Sequence, residues 1–131
     1  MSSRVRISEE TSRQLDQLSN RLGLRRNIIC RLAIGRSLAL KDSVKNIEQK
    51  DSNGYEFNLF TLTGDKDLLF KALCVQHEKK RLTENEYVSM YLRNHIERGT
   101  KILSSEFSRV NSPVDFLMRL MDKKSIINDF F

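Results

Sequence analysis

The chain has 131 residues, 39% of them hydrophobic, enough for one modest core and too little for two independent ones. Its charged fraction of 31%, set among recurring Leu, Ile, Val and Phe, excludes a disordered chain. No run approaches the twenty or so apolar residues that span a bilayer, and the start, MSSRVRISEE, lacks the apolar centre of a signal peptide, so a cytoplasmic protein without a membrane partner is expected. Charge is informative by position. Residues 1–41 carry nine basic side chains (Arg4, Arg6, Arg13, Arg21, Arg25, Arg26, Arg31, Arg36, Lys41) against three acidic ones (Glu9, Glu10, Asp16), while the remaining ninety hold fourteen of each sign. The entire formal net charge of +6 therefore lies in the first third, and eight of its nine basic residues are Arg, suited to bidentate phosphate and base contacts. Such asymmetry is the electrostatic footprint of nucleic-acid binding; the bland alternative is a solvated basic face.

The segment Arg4-Val5-Arg6-Ile7 alternates, which as a strand sends Val5 and Ile7 to one face and both arginines to the other. Ser8 is placed as an N-cap with Glu9 and Glu10 in the first turn of a helix whose stripe is Leu15, Leu18 and Leu22 and whose stop is Gly23. Asn27 is positioned to cap a second helix, residues 28–40, that is apolar nearly all round, must be central or covered by a partner subunit, and with neighbouring helical faces is expected to hold a homo-oligomer together. Residues 41–54 are polar and read as a connection.

Beyond it the order strand, helix, helix recurs. Residues 56–62 have strand character. Thr63-Gly64-Asp65 then turns into a helix expected to bury Leu68, Leu69, Ala72, Leu73 and Val75. Thr83 and Glu86 form a capping box for a helix with stripe Val88, Tyr91, Leu92 and Ile96 and a stop at Gly99. Ser112, Pro113 and Asp115 announce a short last helix through about Met121. The expected fold is mainly α, a compact helical domain over 1–131. Its parts are a ribbon-helix-helix-like segment (3–41), a second strand-helix-helix segment (55–103) and a C-terminal helix and tail (112–131).

A basic strand, a helix, a glycine turn and an apolar second helix resemble the ribbon-helix-helix arrangement, in which strands of two chains pair into a ribbon that reads the major groove. That resemblance implies Arg4 and Arg6 facing DNA, with the helix start near Arg25, Arg26 and Asn27 approaching a phosphate. Past residue 41 a closer likeness takes over. The stretches RVRIS (4–8), GLRRNIICRLAIGRSL (23–38) and YEFNLFTLTGD (55–65) resemble the DndE family of DNA sulfur modification proteins, over roughly residues 3 to 100. From Ser104 onward no family pattern is matched. The resemblance implies an accessory protein of DNA phosphorothioation, a homotetramer that binds double-stranded DNA with a preference for nicked duplex, beside other proteins of the sulfur modification complex.

Enzyme readings fare worse. His77-Glu78 opens like a zinc-protease helix, but Arg81 stands where the second imidazole belongs. His77 and His95 fall in different helices with no Cys or Asp cluster beside either, so neither metal nor other cofactor is expected. Cys30 and Cys74 sit in apolar helical context and read as core thiols; a sulfur-accepting persulfide on Cys30 is the sharper and weaker alternative. Asp65, Asp67, Glu84 and Glu86 stand at helix starts, where capping accounts for them, and Tyr87 and Tyr91 read as core before they read as base-stacking groups. The expected DNA-binding set is Arg4, Arg6, Arg21, Arg25, Arg26, Asn27, Lys41, Lys79, Lys80 and Arg81. The rivals are a nicking nuclease or sulfur-handling enzyme of the same pathway, and a ribbon-helix-helix repressor.

Overall fold

A computed structural model describes residues 4–110 and 112–121. Strand β1 (Arg4–Arg6) buries Val5 and exposes both arginines, as the alternation requires. Its partner is β2 (Glu56–Asn58) of the same chain, antiparallel, with Val5 opposite Phe57 and Arg6 opposite Glu56. Two further bonds extend the pairing, Ile7 N to the Tyr55 carbonyl at 3.0 Å and Gly54 N to the Ile7 carbonyl at 2.9 Å. The strand pairing present is therefore within one chain, with β2 along one edge of β1.

The strand expected over 56–62 ends at Asn58, because Asn58 Oδ1 accepts the Phe60 N–H at 2.9 Å and starts the short helix α3 (Leu59–Thr63). Local capping outweighs the β-propensity of Phe60, Thr61 and Leu62.

Helix α1 (Glu9–Leu22) begins at Ser8, whose hydroxyl accepts the Thr11 N–H, and ends at Gly23 in the left-handed region (φ 69°). Leu15 and Leu18 face the core. Helix α2 (Arg26–Leu38) starts one residue before the expected cap: Arg25 is the N-cap, and the Asn27 amide donates to the Thr61 carbonyl at 3.2 Å instead. Ile29, Cys30, Ala33 and Ile34 are fully buried within the chain. Of the two readings for this apolar helix, the central one holds, because α6 (Arg93–Ser108) covers it.

That α2–α6 crossing explains Gly99, expected as a helix stop and found inside α6. A Cβ there would lie 1.8 Å from the Ala33 carbonyl oxygen, so only glycine lets the two backbones approach this closely.

After a 3-10 turn (Gly64–Lys66) comes α4 (Asp67–Glu78), which buries Phe70 and Cys74 and leaves Leu68 81% and Leu69 44% exposed. Ala72 is exposed as well, and Leu73 and Val75 are half-buried, so the helix is rolled away from the expected face. Polar bonds fix the roll: Tyr87 Oη donates to Asp67 at 2.8 Å and Lys71 Nζ meets Glu84 at 2.7 Å. Residues 67, 71, 74 and 78 thereby share the inward face.

The Thr83–Glu86 capping box forms as expected and opens α5 (Glu84–Glu86), which runs through a π-helical stretch (Tyr87–Leu92) into α6. Val88, Tyr91, Leu92 and Ile96 are all buried, and so is Tyr87, which makes both tyrosines core residues. Ser112 caps α7 (Pro113–Met121) through its bond from Asp115 N, and Phe116 stacks edge-on against Phe107 at 5.1 Å. Among the described residues no helix is long and apolar enough to cross a membrane.

The sequence stripes did not show how polar α6 is on its buried side. Glu97 is 6% exposed and accepts from Ser8 N (2.8 Å), Ser8 Oγ (2.9 Å) and Thr11 Oγ1 (2.9 Å), an anion set at the positive end of α1. Arg93 donates to Ser52 Oγ and the Asp51 carbonyl, and the Asn94 amide donates to the Val44 carbonyl. These side chains tie the polar connection 41–54 to α6.

Candidate nucleic-acid interface

The start of α2 has a basic N-cap and a basic first residue, no side-chain cap and no acidic residue in its first turn. Its first N–H groups and the positive helix end therefore face outward beside two guanidinium groups, which is the chemistry that holds a phosphate. Arg25 is exposed and has no carboxylate partner among the described residues. Arg26 is engaged: its Nε lies 2.7 Å from Asp16 Oδ1, and its guanidinium stacks over the Tyr55 ring at 4.3 Å. Partial burial works against the Asp16 carboxylate, but the hydrogen bonds from Arg26 and Tyr55 outweigh it and hold its pKa below the ordinary value.

Arg4 and Arg6 both reach Glu56, each at 3.2 Å, with their side chains 66% and 49% exposed. Arg4, Arg6 and Arg26 are thus tethered to consecutive residues, Tyr55 and Glu56, at the head of β2. Such exposed pairs contribute little and exchange readily for a phosphate.

Arg21 is exposed in the last turn of α1, its guanidinium 5.8 Å from the centre of the Phe107 ring, beside a shallow cleft lined by Gln17, Ser104 and Ser108. Two arginines that swell the charge of the first third are structural. Arg31 donates to the Leu62 and Thr61 carbonyls, and Arg36 makes a two-pronged pair with Glu106 at 2.9 Å for both bonds.

The remaining candidates gather at the other end of α2. Lys41 follows that helix by three residues, and the His77 ring of α4 bonds the Leu40 carbonyl, which brings Lys79, Lys80 and Arg81 to the same end. All four are exposed, and Lys80 Nζ sits 5.5 Å from the centre of the Tyr91 ring. With a rise of about 1.5 Å per residue, the thirteen residues of α2 separate the two basic groups by roughly 20 Å.

The enzyme readings find little geometry. Both thiols are buried, and burial pushes Cys30 up strongly and Cys74 up to about 12, so neither offers a thiolate. Of the four acidic residues, Glu86 closes the capping box, Glu84 pairs Lys71 and Asp67 accepts from Tyr87, and Asp65 is exposed. The metal expectation is where fold and sequence part: His77, Glu78 and His95 do converge, on the α4–α6 contact. Burial holds the His95 pKa down, to about 3, so that ring is neutral at pH 7.

Fold and site together define a mainly helical protein built on one close helix crossing, with an intrachain two-stranded ribbon and basic groups at both ends of its central helix. The chain belongs to the family of DNA sulphur modification protein DndE, which it matches over residues 4–111. The match runs past Ser104, further than the sequence stretches alone carry it. A solved structure shares the fold, the crystal structure of DndE from Escherichia coli B7A, described as involved in DNA phosphorothioation modification. Its TM-score is 0.65 at 22% sequence identity, covering 76% of this chain and 96% of that one. A comparison with curated proteins finds no match.

Proposed function

We infer that this protein is a DNA-binding accessory subunit of a DNA phosphorothioation complex, without a catalytic site of its own. The observation that carries the reading is the exposed, uncapped and doubly basic start of α2 in a chain that matches the DndE family over residues 4–111. Arg25 and Arg26 at the helix start, with Arg4 and Arg6 on the ribbon, contact phosphates of double-stranded DNA. Lys41, Lys79, Lys80 and Arg81 contact the backbone further along.

A nicked duplex is the preferred ligand, because a break lets one strand pivot to meet two basic groups about 20 Å apart. The protein works as a homotetramer alongside other proteins of the sulfur modification complex. Since α2 is covered within its own chain, assembly falls to exposed apolar side chains such as Phe60 on α3, Leu68 and Leu69 on α4, and Val114 and Met118 on α7.

Two measurements test the reading. Native mass spectrometry should give four copies, and Leu68→Lys should lower that number without unfolding the chain. Fluorescence anisotropy should show tighter binding to a nicked than to an intact duplex of the same sequence. Equal affinity for both at physiological salt, or scission of the duplex by the purified protein with magnesium, would remove it.

A further inference from the structure

The chain has only two histidines, eighteen positions apart, and the fold brings their rings to 5.0 Å at 82°. Glu78 joins them, and one donor atom from each of His77, Glu78 and His95 lies within 4.8 Å of the others. The side chains of His77 and Glu78 are 8% and 3% exposed, and His95 is fully buried. We propose that these three residues form a binding site for a divalent transition-metal ion of the zinc class, which pins the end of α4 to α6.

The hydrogen bonds around the cluster admit tautomers that turn an imidazole lone pair inward. The Leu40 carbonyl, 2.6 Å from His77 Nε2, can only accept, so Nε2 donates to it, and in the neutral ring Nδ1 then carries a lone pair. That lone pair faces Glu78 Oε2 at 3.4 Å. Either a proton or a metal cation between the two atoms satisfies both. Two donors bound at about 2.1 Å to a tetrahedral zinc lie roughly 3.4 Å apart, the separation already present.

Glu78 is oriented from behind, accepting from Ser43 Oγ at 2.5 Å and from Val44 N at 3.3 Å. His95 is held through Nδ1 by Ser37 Oγ at 2.8 Å, while its Nε2 is buried without a hydrogen-bond partner among the described residues. Ser37 is itself fixed by Arg98, whose other bonds go to the Ser37 and Asp42 carbonyls. Each imidazole thus has one ring nitrogen pinned by an outer partner, and the Glu78 carboxylate is held on both oxygens with Oε2 turned toward His77, an outer support of the kind by which proteins aim imidazole and carboxylate at a metal.

Two imidazole nitrogens and one carboxylate oxygen suit Zn²⁺, Co²⁺ or Ni²⁺ and do not suit Mg²⁺ or Ca²⁺, which take oxygen donors. Burial leaves no approach for a large substrate, so the ion is structural. Through Leu40, Ser43 and Val44 it fixes the connection after α2 beneath the lysines at 79 and 80.

The test uses the full chain, stripped with a chelator and titrated with Co²⁺ and, separately, Zn²⁺. One Co²⁺ per chain should bind with the visible absorption of a four-coordinate site, and Zn²⁺ should raise the thermal midpoint reversibly. Glu78→Gln, which keeps the shape of the side chain, and His95→Gln should each weaken Co²⁺ binding by about tenfold or more. No visible band and no shift of the midpoint with Zn²⁺ in hundredfold excess would overturn the site and leave a proton shared by His77 and Glu78 in its place. Equally tight binding by folded Glu78→Gln would overturn it too, because the ion would then lie elsewhere.

Discussion

The two ends of α2 carry similar charge and hold it differently. At its start, Arg4, Arg6 and Arg26 lean on Glu56 and Asp16 through exposed ion pairs, and Arg25 stands unpaired among the described residues. At its other end the lysines at 41, 79 and 80 are solvated, while beneath them His77, Glu78 and His95 are buried in a fixed network. Exposed pairs exchange partners at little cost, whereas buried polar groups resist rearrangement. The first end can therefore exchange its partners cheaply, and the second holds its backbone still.

Both ends depend on the α2–α6 crossing, and breaking it should have the largest effect. Gly99→Val drives a branched side chain into the Ala33 carbonyl and should destabilise the protein by about 3 kcal/mol or more, seen as a large fall in the urea midpoint. A midpoint within experimental error of the parent would mean the helices do not pack this closely.

Next in size is Glu97→Gln. It removes the buried anion that accepts three bonds at the start of α1 and should cost about 1–3 kcal/mol by the same measurement, with DNA affinity of the folded protein unchanged.

Most elements were legible in the sequence because short-range chemistry sets them. Ser8, Gly23, Thr83 with Glu86, and Ser112 with Pro113 each act within one helical turn, and the alternation in Arg4–Ile7 needs no partner to be read. The strand expected over 56–62 failed on a local cap, Asn58 on Phe60, while other failures depended on distant residues. The roll of α4 follows from Asp67 meeting Tyr87 and Lys71 meeting Glu84, and Gly99 acquires its meaning only from Ala33.

The candidate site divides in the same way. Arg25 and Arg26 were visible as a basic helix start, but the ion pairs that occupy Arg4, Arg6 and Arg26 were not. The histidine cluster was invisible because its members lie eighteen residues apart and the sequence spacing matches no metal motif.

Smaller effects sharpen the contrast between core and surface. Cys30→Ala should cost about 1–2 kcal/mol through lost packing while leaving DNA binding intact in the folded fraction. Neither Cys30 nor Cys74 should react with a thiol reagent until the chain unfolds; fast labelling of the native protein would contradict their burial. Smallest of all, Glu56→Gln releases Arg4 and Arg6 from their partner and should tighten DNA binding by a few fold at low salt, an effect that weaker binding by the variant would refute.

The most direct test of the α2 surface is the salt dependence of duplex binding by the parent and by a doubly reversed Arg25→Glu, Arg26→Glu variant, with Lys79→Glu, Lys80→Glu for comparison. Each phosphate contact contributes close to 0.9 to the slope of log affinity against log salt, so the arginine variant should lose about two units of slope. Its affinity should fall on every duplex sequence alike, since phosphate contacts position a protein without reading bases, and fall further than that of the lysine variant. A folded arginine variant that binds nicked and intact duplex as tightly as the parent at physiological salt would contradict the account.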